Sequence, residues 1–180
     1  PVHAFCEAVE VPCVFPDVDY PEVADSGYYP LYFSRGVTLE AEVLAKHLLE
    51  TGPSGQSGTI VQVFRDHTLG RLPSQALRKA LQGRGGEAVI DYPLPDAGRL
   101  PADFLSRLAG SERPSTLVLW LDSADLAALD LAAVPPDGLE AIYVSASLSA
   151  MRRPSLPENW QSRLHMVYPF ALPASRDQKL

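Results

Sequence analysis

The sequence predicts an α/β fold of three layers, a mostly parallel sheet lying between helices on both of its faces, and three observations carry that expectation. Short apolar runs alternate with amphipathic ones in the order "TIVQVF", "PSQALRKALQG", "EAVIDY", "PADFLSRLAG", "TLVLWL", "SADLAALDLAAV" and "LEAIYV". Strand starts recur every ~25 to 30 residues, the length of one strand-helix unit, and a right-handed crossover between parallel strands needs about that much chain. "TLVLWL" is apolar at nearly every position, as a strand buried on both faces should be.

Upstream of this rhythm, Val2, Phe5, Cys6 and Val9 fall at helical spacing, and Val11 to Phe15 read as a short strand interrupted by Pro12. "PDVDYPEVADSGYYP" is turn and crossover material. Leu31 to Ser34 form a short strand, and "GVTLEAEVLAKHLLETG" is a helix with Leu39, Val43, Leu44 and Leu48 on one face and Thr51-Gly52 as its stop. Proline tolerates only the first helical turn, so Pro73 predicts a helix starting between Gly70 and Leu72 and leaves Arg65 to Leu69 as loop. In the tail, "LHMVYPF" reads as another strand returning towards the crossover, and the last residues read as disordered. The expected organisation is residues 1–30 as the end of one body and a crossover, 31–150 as the main lobe, and 151–180 as a return segment and tail.

At 180 residues and 19.5 kDa the chain can bury one good core. It is 46% hydrophobic and 21% charged, within the globular range, and holds no apolar run near the roughly 20 residues that cross a bilayer. A net charge of -7 and a pI near 5.0 exclude the basic footprint of a nucleic-acid binder. Cys6 and Cys13 match neither a CxxC pair nor a zinc knuckle; buried free thiols are the favoured reading and a disulfide the alternative. A chain that opens at Pro1 inside a helical pattern reads as processed or truncated.

"GPSGQSGT" lacks the lysine of a phosphate loop and lies between a helix and a strand, so it reads as a flexible connector. GxSxG is absent, and a nucleophile elbow has no support. Asp66-His67 suggests a general base, but adjacent side chains seldom meet and no serine or cysteine nucleophile partners them. The four histidines, His3, His47, His67 and His165, show no metal spacing, and His47 sits on the exposed side of its helix pattern. No catalytic residue, metal or cofactor is therefore assigned.

The better reading of these polar residues is positional, because open parallel sheets bind ligands beyond the carboxyl ends of their strands. Arg65, Asp66, His67 and Thr68 follow the first strand of the regular pattern, Asp91 and Tyr92 the second, Asp122 and Ser123 the third, and Ser145 and Ser147 the fourth. Ser123 and Asp122 also suit the N-cap of the helix that follows; for Ser123 capping is preferred to ligand contact, though the two can coexist.

The order "VPCVFP", crossover, "YYPLYFSRGVTLEAEVLAKHLLE", "GTIVQVFRDHTLGRLPSQALRKAL", "GGEAVIDYPLP", "DFLSRL", "TLVLWLDSADLAAL", "LEAIYVSASL" resembles the second lobe of type I periplasmic binding proteins. The leucine/isoleucine/valine-binding group and related extracellular ligand-binding receptors look most similar. The resemblance implies a Rossmann-like lobe that closes with a second one on a small polar solute, such as an amino acid or amide. It also implies an extracytoplasmic location and an ABC permease or receptor as partner. Arg35 stands where the family carries a basic residue, Leu69 where an aromatic one often covers the ligand, and Ser145 near an acidic residue that holds an ammonium group. The last two depart from the family's amino-acid pattern.

Most of the first lobe is not represented, so a missing lobe or a homodimer partner is expected to complete the cleft, with the aromatic cluster Tyr28, Tyr29, Tyr32 and Phe33 at the hinge. Two rival classes remain: a ligand-free sensor or interaction module serving another, redox-type protein, and a flavodoxin-like or hydrolase-like enzyme using Asp66 and His67.

Overall fold

In chain order the elements are α1 (Val2–Val9), β1 (Cys13–Phe15), β2 (Pro30–Tyr32), α2 (Val37–Thr51), β3 (Ile60–Arg65), α3 (Thr68–Gln82), β4 (Val89–Leu94), α4 (Phe104–Glu112), β5 (Thr116–Trp120), α5 (Ser123–Ala128), β6 (Ala141–Ser145) and β7 (Leu164–Val167). The computed structural model describes residues 2–15, 27–32, 35–51, 58–82, 89–101, 103–129, 138–150 and 162–169. Phe33, Ser34, the crossover of residues 16–26 and the chain's last residues lie outside that set, as does most of the "GPSGQSGT" connector.

Five strands make the central sheet in the order β4-β3-β5-β6-β7, and every pairing is parallel. Strand alternation sends side chains to two cores. Ile60, Phe64, Val118, Trp120, Tyr143 and Val167 point to the side where Ala41, Leu44 and Ala45 of α2 meet Leu77 and Leu81 of α3. Val61, Val63, Leu117, Leu119, Ile142 and Val144 point to the other, against Phe104, Leu105 and Leu108 of α4 and Leu126 of α5. The three-layer α/β/α expectation holds, and each large aliphatic side chain so buried stabilises the fold by about 1.5–3 kcal/mol.

Three local expectations are corrected and one is extended. The buried face of α2 is Val37, Glu40, Ala41, Leu44 and Ala45, whereas Val43 is 39% exposed. The small alanines allow α2 to lie close on α3, so the stripe is set by close approach and not by the largest side chains. Asp91 and Tyr92 lie inside β4, which runs on to Leu94; as an edge strand of the sheet it accommodates Pro93, opposite Phe64 in the register. "LHMVYPF" contributes the expected strand, β7, and the structure adds its place, since it pairs with β6 at the end of the central sheet; the crossover lies outside the described residues.

The third correction concerns the cysteines. Cys6 and Cys13 form a disulfide with Cα atoms 6.0 Å apart, clipping α1 to β1. β1 and β2 pair in parallel as a separate two-stranded sheet, and Phe15 stacks on Tyr32 at 5.0 Å. Much of this unit's apolar surface is uncovered: Phe5 is 60% exposed, Tyr28 84% and Leu31 51%.

Candidate functional site

Because all five central strands are parallel, their carboxyl ends at Arg65, Leu94, Trp120, Ser145 and Val167 share one edge of the sheet. β3 is the first of them in sequence, yet it lies inside the sheet, with β4 on one side and β5 on the other. Chain winding reverses between β3 and β5, which makes the crevice at their carboxyl ends the topological switch point where such sheets take ligands.

Arg65 fills that place. Its Nε donates to Asp125 Oδ2 at 2.8 Å and its Nη2 to Asp125 Oδ1 at 2.5 Å, a two-pronged bond to the first turn of α5. Nη1 donates to the Pro95 carbonyl at 2.8 Å and Nη2 also to the Gly98 carbonyl at 2.6 Å. The bond and charge of Asp125 hold the guanidinium even more firmly protonated than a free arginine.

The β3–α3 turn is tighter than Pro73 suggests. α3 begins at Thr68, so only Asp66 and His67 separate strand from helix. The His67 Nδ1 accepts the Gly70 N–H at 3.3 Å, and the Arg71 N–H reaches the His67 carbonyl at 2.9 Å, which caps and closes the first turn. A Cβ on Gly70 would stand 2.2 Å from the Arg65 carbonyl, so only glycine lets the helix start lie against the strand end. Pro73 then falls beyond the first turn, where its missing N–H removes a single bond, to the Leu69 carbonyl.

Asp66 is exposed and paired with Arg71 at 2.5 Å, a hydrogen bond that lowers its pKa. Thr68 is exposed as well. Of the two cap candidates Asp122 caps α5 and Ser123 is its first helical residue: the Asp122 Oδ1 accepts the N–H groups of Ala124 and Asp125 at 2.9 and 2.8 Å. Asp fits this position because its carboxylate reaches both first-turn amides. Arg35, largely exposed, pairs with Glu42 of α2.

Ser145 and Ser147 turn inward to a residue that the sequence reading passed over. Glu40, in the first turn of α2, is fully buried and accepts Ser145 Oγ at 2.5 Å, Ser147 N at 2.9 Å and Ser147 Oγ at 2.7 Å. Burial raises its pKa, while the bonds from Ser145 and Ser147 act in the opposite sense. The signal was present in the spacing, since Glu40 lies three residues after Val37 and four before Leu44 on the buried stripe.

A second buried polar group, Gln62, sits midway along β3. It donates to the Ser74 carbonyl at 3.0 Å and to Asp91 at 2.6 Å, and accepts Trp120 Nε1 at 3.0 Å, while Asp91 pairs with Arg78. His47 and His165, far apart in sequence, both contact the ring of Tyr143, at centroid distances of 5.8 and 5.2 Å. Among the described residues no group of three or more histidines, cysteines or carboxylates could hold a metal ion. Nor is any described helix long and apolar enough to cross a membrane.

Solved structures match this α/β lobe and the small strand pair that precedes it over most of the chain. A branched-chain amino acid ABC transporter protein from Rhodospirillum rubrum matches at TM-score 0.68 and 18% identity, over 97% of this chain and 49% of its own. A solute-binding protein of R. palustris, solved with benzoate, matches at TM-score 0.61 and 11% identity, over 82% of this chain and 40% of its own. A fatty acid ABC transporter substrate-binding protein from Thermomonospora curvata gives TM-score 0.59 and 15% identity, over 82% and 37%. The fold is therefore that of type I periplasmic binding proteins, and the chain spans about half the length of these structures, or less. No protein-family model and no curated protein matches the sequence.

Proposed function

We propose that this chain forms one wall of the cleft of an extracytoplasmic solute-binding protein, which encloses a small polar ligand between two lobes and hands it to an ABC permease or reports it to a receptor. The observation that carries the reading is the likeness to solute-binding structures across 97% of this chain but 49% of the partner, together with a polar edge at the strand ends. A ligand placed there would meet Asp66, His67, Thr68, Asp122 and Ser123 and the amide groups of helix starts, with Arg35 at its flank. Arg65, Ser145 and Ser147 belong to the same edge, but their polar groups are engaged within the lobe. One of these structures was solved with benzoate and another is described as a fatty acid ABC transporter substrate-binding protein, so an amino acid or amide is only one class to test.

The enzyme reading is weaker on specific grounds. His67 spends Nδ1 on the Gly70 amide, Asp66 is paired with Arg71, and Arg65 stands in the crevice where a flavodoxin-like protein would take its cofactor. We therefore take the protein to be non-enzymatic.

A thermal-shift screen of the two-lobed protein against aromatic acids, fatty acids, amino acids and amides tests the proposal. A true ligand at 100 times its Kd should add about 2.7 kcal/mol of stability. A folded two-lobed protein that none of these classes stabilises would sink the transport reading.

A further inference from the structure

We propose that Arg65 is a positioning residue: its guanidinium occupies the switch-point crevice and ties the end of β3 to the β4–α4 loop and the first turn of α5, without itself holding the ligand. This rests on reading the edge as a binding wall. Every partner of the guanidinium comes from another segment: Asp125 from α5, and Pro95 and Gly98 from the β4–α4 loop. Arginine has five N–H donors, and the four bonds to these partners leave one uncommitted. The Arg65 side chain is only 11% exposed and that of Asp125 12%.

Two further features show a built arrangement. Asp125 is itself fixed, since its backbone N–H is held by the Asp122 cap. Gly98 adopts φ +114° with nothing within 4 Å of where a Cβ would sit, so glycine is required by backbone conformation and not by space. That is the residue whose carbonyl accepts Arg65 Nη2. A ligand carboxylate approaching this wall finds the guanidinium already given to Asp125, so Arg65 offers it no two-pronged partner. Recognition on this side falls to the neutral and acidic groups outside the clamp.

Hydrogen exchange of the full chain, without ligand, tests this on wild type, Arg65→Ala, Arg65→Lys and Gly98→Ala. Arg65→Ala should speed exchange about tenfold or more in residues 96–100 and 123–128, while residues 145–150, anchored by Glu40, stay within about twofold. Arg65→Lys keeps the charge but cannot bridge all three partners, and Gly98→Ala disturbs only the loop; both should give smaller rises confined to the same segments. Added ethylguanidinium should restore protection in Arg65→Ala but do nothing for wild type or for Arg65→Ala combined with Asp125→Asn.

Unchanged exchange in residues 96–100 and 123–128 overturns the proposal. So does an equal rise in residues 145–150, or in Arg65→Lys should Arg65→Ala fail to fold. Because no ligand enters the measurement, its failure is separate from that of the binding reading, which the ligand screen decides.

Discussion

The central lobe and the N-terminal unit differ in how completely each buries its own apolar surface. In the lobe Val61, Leu77, Leu117 and Trp120 are buried from both sides of the sheet. In α1, β1, β2 and the bend before β2 the large side chains of Phe5, Val14, Leu31 and Tyr28 are more than half exposed, and among the described residues of this unit only Cys6 and Pro30 are buried. A strand pair of this size is marginal by itself. It is held by local ties instead: the Cys6–Cys13 disulfide, and Glu7, whose carboxylate accepts the Tyr29 N–H at 2.9 Å. The lesson is that one region carries its stability in a shared core and the other in single bonds, so substitutions should separate them cleanly.

The largest effect should come from Trp120→Ala. It removes a fully buried ring, about 3–5 kcal/mol by itself, and strands the Gln62 Oε1 that Trp120 Nε1 satisfies. Urea unfolding of the lobe should shift to much lower denaturant, while exchange in residues 13–15 and 30–32 stays as in wild type. Equal loosening of both regions would mean that they share one cooperative core.

Replacing both Cys6 and Cys13 by serine makes the converse test. Loss of a disulfide closing so short a loop should cost the N-terminal unit about 2–3 kcal/mol. Exchange in residues 13–15 should approach that of an open strand, with the unfolding midpoint of the central lobe unchanged.

Glu40 sharpens the contrast from within the lobe. Glu40→Ala leaves the Ser147 N–H and the Ser145 hydroxyl without their acceptor, at about 1–3 kcal/mol for each buried group left unpaired. Glu40→Gln can still accept from Ser147, and the Ser145 hydroxyl can turn to accept from the new amide, so the loss should be smaller. Their pH dependence differs too. Burial raises the Glu40 pKa, so the folded chain holds this proton to higher pH than the unfolded one. Its contribution is most favourable at low pH and is lost as pH rises from the ordinary carboxyl range through the folded pKa. Glu40→Gln should remove that decline, which denaturation midpoints across a pH series would show.

The layers and the shared strand edge were legible because they rest on repeating signals. Strands such as "TLVLWL" are apolar at nearly every position, and α3 places Gly70, Pro73, Ser74, Leu77 and Leu81 at helical spacing. The site was less legible because its polar residues have partners far along the chain. Arg65 meets Asp125 across 60 residues, and Ser147 meets Glu40 across 107, distances at which no local pattern speaks. Glu40 drew no assignment because the face marked by Leu39, Val43, Leu44 and Leu48 is not the buried stripe of α2, which runs through Val37, Glu40 and its alanines. Pro73 misled for a related reason: the start of α3 is decided by His67 as cap and by the bare Cα of Gly70, both upstream of the proline.

The smallest effect on stability, and the most direct on the contrast itself, should come from Phe5→Glu. Phe5 is 60% exposed, so its loss should change the unfolding free energy of the isolated chain by no more than about 0.5 kcal/mol. Its surroundings matter more than its burial, because an uncovered patch with Val2, Val9 and Val14 nearby in sequence favours association. Sedimentation of this chain should show concentration-dependent self-association that Phe5→Glu reduces and that Val43→Glu, a substitution of an exposed apolar residue on the central lobe, does not. If both substitutions act alike, the N-terminal unit has no special need of a covering partner, and its exposed side chains are ordinary surface.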